Sequence, residues 1–178
     1  MQENIKEKIL KTYDIYNGKI LKIQKKIIKL QSGKKIDREI IKHPGSVAII
    51  PFIDNKSVIL IEQYRSALEK TILEIPAGTL EKNEKPEDCA KRELLEETGY
   101  TAKNFKKLFT GYTSPGYSDE EMHFFLATEL TFKGEKLEED EDIKTKIVKL
   151  NEINSMIKNE EICDLKTICG ISRITLEK

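Results

Sequence analysis

The sequence lacks a net charge: 31 Lys and Arg are matched by 31 Asp and Glu. A strongly basic chain would point to nucleic acid or to an anionic membrane surface, and this balance points to neither. It also lacks any apolar run approaching 18 residues, so no membrane-spanning helix is expected. The opening stretch MQENIKEKILK has no apolar segment of the length a secretory signal needs. Cysteine is scarce. Cys89, Cys163 and Cys169 form neither a C-x-x-C motif nor an even set, which excludes a disulfide framework and fits free thiols in a reducing compartment. Repeats and low-complexity linkers are absent too. A cytoplasmic, soluble chain is expected, and 178 residues suit one domain with a small appendage.

What is present is unevenly distributed. Residues 1–42 carry 12 Lys and Arg against 5 Asp and Glu, whereas residues 135–142, EKLEEDED, hold 6 acids. Residues 3–11 suit a short helix or an extended arm. Ile20–Leu30, between Gly18 and Ser32-Gly33, suits one long strand or two, with a hairpin partner over Lys35–Lys42. Residues 1–42 therefore read as a small β appendage, with Ile20, Ile23, Ile27 and Leu30 as its apolar face. Beyond His43-Pro44-Gly45, strands are expected over Val47–Phe52, Val58–Gln63, Phe105–Tyr112, Met122–Leu130 and Thr145–Leu150, and Leu73–Pro76 leads toward Gly78. Helices are expected after Pro86, over Asn151–Lys158, and from Asp164 to about Arg173. Strands mixed with three helices predict an α/β fold.

The stretch GTLEKNEKPEDCAKRELLEETGY, residues 78–100, is the most informative. Pro86 suits a first helical turn, where its missing N–H costs nothing, and Gly99 suits a helix stop. In the helix between them Glu93 and Glu97 share a face, with Glu96 three residues from Glu93. Ala90 and Leu94 supply a buried face. Like charges at this spacing repel, and a hard cation taking oxygen ligands is the natural compensation. Mg²⁺ commonly takes one or two carboxylates and leaves its other positions to water and substrate phosphate. A plain solvated face, with Arg92 and Glu96 as an ordinary i,i+4 pair, is the alternative for a charged helix taken alone. It does not account for Gly78, Glu84 and Gly99 at their offsets.

Those offsets, Gly78, Glu84, Arg92-Glu93-Leu94, Glu96-Glu97 and Gly99-Tyr100, resemble the Nudix box, G-x5-E-x7-R-E-U-x-E-E-x-G-U with U bulky and apolar. Every fixed position matches. The family hydrolyses nucleoside diphosphates linked to another group, using divalent metal. Three flanking segments are similar to the ADP-ribose pyrophosphatase branch: Ile61-Glu62-Gln63-Tyr64-Arg65, Glu74-Ile75-Pro76-Ala77-Gly78, and Ser114-Pro115-Gly116-Tyr117-Ser118-Asp119-Glu120. His43-Pro44-Gly45 and Asp164-x-Lys166-Thr167 also resemble it. The likeness covers roughly residues 38–170.

The resemblance implies an α/β/α Nudix sandwich with a mixed sheet over residues 43–178, preceded by a small antiparallel β appendage over residues 1–42. It implies a homodimer in which that appendage is exchanged between subunits. Glu93, Glu96, Glu97 and the Ala77 carbonyl would hold two or three Mg²⁺ ions (or Mn²⁺) with the substrate. Arg92 would orient the carboxylates, with Glu84 at the edge holding it or a water, and Glu139 of the acidic run, with Glu138 and Glu141 close by, would act on the water. Arg65 would grip phosphate or ribose, with His43, Ser114, Pro115 and Gly116 also toward the substrate. The substrate implied is a nucleoside diphosphate sugar, ADP-ribose first. GDP-mannose or another nucleotide sugar, and a non-catalytic nucleotide-binding module, are the alternatives. Neither nucleic acid nor membrane is an implied partner.

Overall fold

The protein is described by a computed structural model, covering residues 7–134 and 142–176. In chain order the elements are β1 Lys8–Asn17, β2 Lys22–Lys29, β3 Lys35–Lys42, β4 Ser46–Pro51, β5 Ser57–Arg65, β6 Lys70–Glu74, β7 Ala77–Thr79, α1 Pro86–Thr98, β8 Tyr100–Tyr112, β9 Glu121–Phe132, β10 Ile143–Lys149, α2 Leu150–Lys158 and α3 Leu165–Thr175. The described residues fall into two compact units, one from Met1–Gly45 with Gly111–Met122, the other from Ser46–Thr110 with His123–Lys178.

The first unit is built on the antiparallel sheet β1-β2-β3. Of the short helix or extended arm expected over residues 3–11, the described part is extended and belongs to β1, irregular between Ile9 and Lys11 and again between Asp14 and Tyr16. Ile28 is the strand residue this sheet buries, while Ile9, Ile15, Tyr16, Ile20 and Leu21 are exposed. The apolar exposure thus lies largely on β1 and the turn after it, a distribution that the Ile20-to-Leu30 pattern alone does not reveal. In the same unit Ile41 forms a parallel bridge with Ser118, so the segment after β8 is stitched to the end of β3.

The second unit holds two sheets, β10-β5-β6 and β7-β4-β9-β8. Together with the helices and the β1–β3 sheet they make the expected α/β fold with a Nudix-type sheet arrangement. Strand β4 is buried at all six residues. Alternation explains it: Val47 and Ile49 cluster with Cys89, Ala90 and Leu94 of α1. Ile50, one residue on and so facing the other way, lies where a Cβ on Gly170 of α3 would meet it at 3.3 Å. Helices therefore cover both faces of β4, which reads as a continuous apolar run for that reason. The short β7, not anticipated as a strand, pairs with β4 through Ser46–Thr79, Val47–Gly78 and Ala48–Ala77. That ladder brings the start of the 78–100 stretch beside α1. Among the described residues no helix is long and apolar enough to cross a membrane.

Candidate active site

Helix α1 has the limits its sequence sets. Pro86 occupies its first turn, and Gly99 closes it in the left-handed conformation at φ 73°, with its N–H donating to the Leu95 carbonyl. Such a φ strains residues that carry a Cβ, which is why glycine ends this helix. The helix buries more than its apolar residues. Glu93 is 9% exposed and Glu97 3%, alongside Cys89, Ala90 and Leu94. The same i,i+4 spacing that stacks two carboxylates here turns them inward.

Buried carboxylates need partners, and each has an identifiable one. Glu97 Oε2 accepts from the Ala77 N–H at 2.9 Å. Glu93 Oε1 and Glu96 Oε2 both accept from Arg92 Nη1, at 2.7 and 2.9 Å. Arg92 also makes a bidentate pair with Glu84, Nε to Oε1 at 2.9 Å and Nη2 to Oε2 at 3.0 Å. The guanidinium fork matches carboxylate geometry, so Glu84 fixes the plane and Nη1 is left pointing at the helix acids. This contact is the first cause that holds the Glu84 carboxyl down at about 2. Cys89 Sγ lies 3.3 Å from Arg92 Nη2 and 3.7 Å from the Thr79 carbonyl, and burial pushes its thiol far above the usual range. Position 89 carries no fixed residue in the motif, so the spacing alone gave no hint of this contact.

Gly78 has a local reason. A Cβ there would lie 1.9 Å from Glu93 Cδ and Oε1. The glycine thus makes a cradle into which the Glu93 carboxylate fits against the backbone of β7.

A second charged cluster lies in the same unit. Glu74 is fully buried and is held in a bidentate pair by Arg65, Nε to Oε1 at 2.6 Å and Nη2 to Oε2 at 2.8 Å. Lys166 Nζ reaches Glu74 Oε2 and lies 3.1 Å from Asp164 Oδ2. Burial opposes ionisation of Glu74, but the Arg65 hydrogen bonds and the Lys166 charge outweigh it and hold the carboxyl below its ordinary value. Arg65, expected toward the substrate, thus has two of its nitrogens on Glu74. The partners Glu74 and Lys166 were missed as site residues. The Asp164-x-Lys166-Thr167 motif was the available signal.

In the first unit the remaining candidates come together. The His43 N–H donates to Asp119 Oδ1 at 2.9 Å, and His43 Nδ1 lies 3.8 Å from Glu120 Oε1. The Ser114 carbonyl accepts from the N–H groups of Tyr117 and Ser118, at 3.1 and 2.9 Å, which folds Ser114-Pro115-Gly116 into a turn. Glu138, Glu139 and Glu141 lie outside the described residues.

The donor set suits a hard divalent cation. Glu84, Glu93 and Glu96 converge on one guanidinium, with Glu97 one turn from Glu93, so carboxylate charge exceeds cationic charge in the cluster. All the donors are oxygens, as Mg²⁺ and Mn²⁺ prefer. Among the described residues no three acidic, His or Cys side chains already converge on one point as a preformed ligand set. Glu93 and Glu96 lean on Arg92 while Glu97 turns to Ala77.

Comparison with known proteins agrees with this geometry. A family model for the NUDIX domain matches residues 42–168. The ADP-ribose pyrophosphatase of Bacillus subtilis (strain 168) is 43% identical, with 99% of this chain and 96% of that protein covered. The methanol dehydrogenase activator of Bacillus methanolicus is 39% identical, covering 100% and 97%. The GDP-mannose pyrophosphatase of Shigella flexneri is 35% identical over 150 residues, covering 74% and 78%. A solved structure described as an ADP compounds hydrolase superposes with a TM-score of 0.86 over 98% of this chain and 95% of its own, at 18% identity, a likeness of fold. With its matched domain, its full-length relatives and its complete carboxylate–arginine cluster, the chain belongs to the Nudix family.

Proposed function

We propose that this protein is an ADP-ribose pyrophosphatase, cleaving ADP-ribose with water to AMP and ribose 5-phosphate in the presence of Mg²⁺ or Mn²⁺. A Nudix-family hydrolase acting on a phosphate anhydride is the broader class within which the substrate is assigned. The observation that carries the substrate is the 43% identity to the Bacillus subtilis ADP-ribose pyrophosphatase along almost the whole of both chains. The cluster supports the broader class, since Glu84, Arg92, Glu93, Glu96 and Glu97 are all present and in mutual contact or one turn apart.

Glu93, Glu96 and Glu97, with the Ala77 carbonyl, are the residues that would hold the ions, two or three when substrate is present. Bound metal would neutralise the diphosphate and stabilise charge on the departing oxygen. Arg92 sets the direction of Glu93 and Glu96 and needs no contact with substrate. Glu139 is assigned to activate or position the water. Arg65, whose side chain is 37% exposed against 1% for Glu74, grips phosphate or ribose from its solvent side. His43, Ser114, Pro115 and Gly116 are assigned to the substrate as well.

The second reading is a GDP-mannose pyrophosphatase, favoured by the 35% identity to the Shigella flexneri relative. A substrate panel of ADP-ribose, GDP-mannose, NADH, diadenosine polyphosphates and 8-oxo-dGTP decides between them. ADP-ribose is expected to turn over fastest. Faster turnover of GDP-mannose selects the second reading, and turnover of none makes the domain a binding module. The β1–β3 unit is assigned to a homodimer, because Ile9, Ile15, Tyr16, Ile20 and Leu21 are exposed on a small sheet that gains by covering them. Light scattering is expected to give twice the chain mass of 20.5 kDa, and a one-chain mass refutes the assignment.

A further inference from the structure

We propose that Thr167 and Lys166, at the start of α3, are positioning residues for the reaction: they brace the segment Glu74–Ala77 so that the Ala77 N–H aims the Glu97 carboxylate. The inference rests on the reading of Glu97 as a metal ligand. It absorbs the Asp164-x-Lys166-Thr167 motif, to which the proposed chemistry otherwise gives no task.

Four consecutive residues are each tied by a specific contact. Glu74 is held by Arg65 and Lys166. The Ile75 N–H donates to Thr167 Oγ1 at 2.8 Å. The Pro76 carbonyl accepts from the Ile49 N–H at 2.8 Å. The Ala77 N–H donates to Glu97 Oε2 at 2.9 Å. Thr167 is itself fully buried and fixed, since its hydroxyl donates to Asp164 Oδ2 at 2.6 Å while its N–H donates to the same oxygen at 2.9 Å. A hydroxyl that donates its one proton to Asp164 is left as an acceptor facing Ile75, so its role is set and not interchangeable. Asp164 thereby caps α3 and orients Thr167 in one contact.

The segment transmits position because it is stiff. Pro76 has a locked φ, and a residue before proline is confined to extended conformations, so Ile75 and Pro76 have little freedom. Two residues separate the nitrogen held by Thr167 from the nitrogen that holds Glu97. Close approach of α3 is allowed by Gly170, where a Cβ would meet Ile75 Cδ1 at 3.2 Å. Helix capping alone would need Asp164 and the Thr167 N–H. It would not need the hydroxyl to be shared with the link between β6 and β7.

Thr167→Val keeps the shape and removes the hydroxyl, Thr167→Ser restores it, and Glu97→Gln serves as the reference. The readouts are amide hydrogen exchange at Ala77 by NMR, Mn²⁺ affinity by electron paramagnetic resonance, and steady-state kinetics with ADP-ribose at saturating metal. Thr167→Val is expected to speed Ala77 exchange by at least about 10-fold, to weaken Mn²⁺ binding by roughly 5- to 10-fold on the scale of an orienting contact, and to lower kcat with KM nearly unchanged. Thr167→Ser is expected to return all three toward the parent values. An Ala77 amide as protected in the folded Thr167→Val protein as in the parent overturns the inference. So does loss of kcat that serine does not rescue. A Glu97→Gln protein that binds Mn²⁺ as tightly as the parent overturns instead the reading of Glu97 as a ligand, and the Ala77 exchange in Thr167→Val still decides the brace.

Discussion

Two arginines of this protein do the same thing locally and differ in what surrounds them. Arg92 and Arg65 each form a bidentate pair with one glutamate, Glu84 and Glu74 respectively. Around Arg92 the acids outnumber the bases, since Glu84, Glu93 and Glu96 share one guanidinium. Around Arg65 the bonded partners are matched, Glu74 and Asp164 against Arg65 and Lys166, with the Glu97 charge also acting on Arg65. Excess negative charge in a partly buried place is costly unless a cation joins it. The bidentate pair is thus the same in both places, and what differs is the charge around it: three carboxylates share Arg92, whereas Arg65 shares Glu74 with Lys166.

Gly78→Ala is expected to break this contrast most sharply. Its Cβ would collide with the end of the Glu93 side chain, at 1.9 Å from Cδ and Oε1, and not with backbone. The carboxylate can swing away, but Glu93 is buried and paired with Arg92, so the fold is expected to survive with a loss of roughly 1–3 kcal/mol. Activity is another matter, because a ligand misplaced by about 1 Å can cost on the order of 10²-fold. Thermal melting beside kcat/KM and Mn²⁺ titration checks it. A variant that melts normally and hydrolyses ADP-ribose at the parent rate shows that the glycine cradle is not needed for Glu93 to work.

Arg65→Ala tests the cluster around Glu74. It leaves the buried Glu74 carboxylate with Lys166 alone among the cations placed on it, and a broken buried pair is destabilising. The exposed flank of Arg65 softens the loss, and roughly 1–3 kcal/mol is expected from denaturant titration. KM for ADP-ribose is expected to rise more than kcat falls, the mark of uniform binding lost. That pattern is the opposite of the one expected from Thr167→Val. If both variants lose kcat with KM unchanged, Arg65 belongs wholly to the brace and another group grips the substrate.

How much of this was legible in the sequence follows the range of the contacts. Helix α1 was readable to the residue at both ends, because Pro86 and Gly99 act within one turn. The stacking of Glu93 on Glu97 was readable for the same reason, while the sequence left Glu84 to hold Arg92 or a water and the structure places it on Arg92. The division of the core strands into two sheets was not, because a continuous apolar run such as β4 says that a strand is buried but not which strand lies beside it. Nor was the strand β7, three residues long and defined by its pairing with β4. The Arg65–Glu74–Lys166 cluster spans β5, β6 and α3, so no local pattern joins its members. For Arg65 the structure supplies a partner that the sequence reading did not name.

The pH dependence of Glu84 offers the smallest effect and the finest test of the unbalanced cluster. Its carboxyl titrates at about 2 in the folded protein, against an ordinary value of 4.5, first because Arg92 hydrogen-bonds to its charged form. A depressed folded value means that the unfolded chain takes up protons first as pH falls. The contribution to stability is therefore fully present above pH 4.5, declines between 4.5 and 2, and is gone below 2. Glu84→Gln removes the charge at every pH but keeps an oxygen for Arg92, so about 1–2 kcal/mol is expected to be lost at neutral pH, in the range of a charge-assisted hydrogen bond. The difference between parent and variant is expected to shrink by about half near pH 3, where both are followed by urea unfolding. A gap that stays constant from pH 7 to pH 3 would mean that Arg92 is held by Glu93 and Glu96 and that Glu84 is incidental to it. The guanidinium would then be fixed by the very carboxylates the metal is proposed to use, and metal binding would have to compete with Arg92 for them.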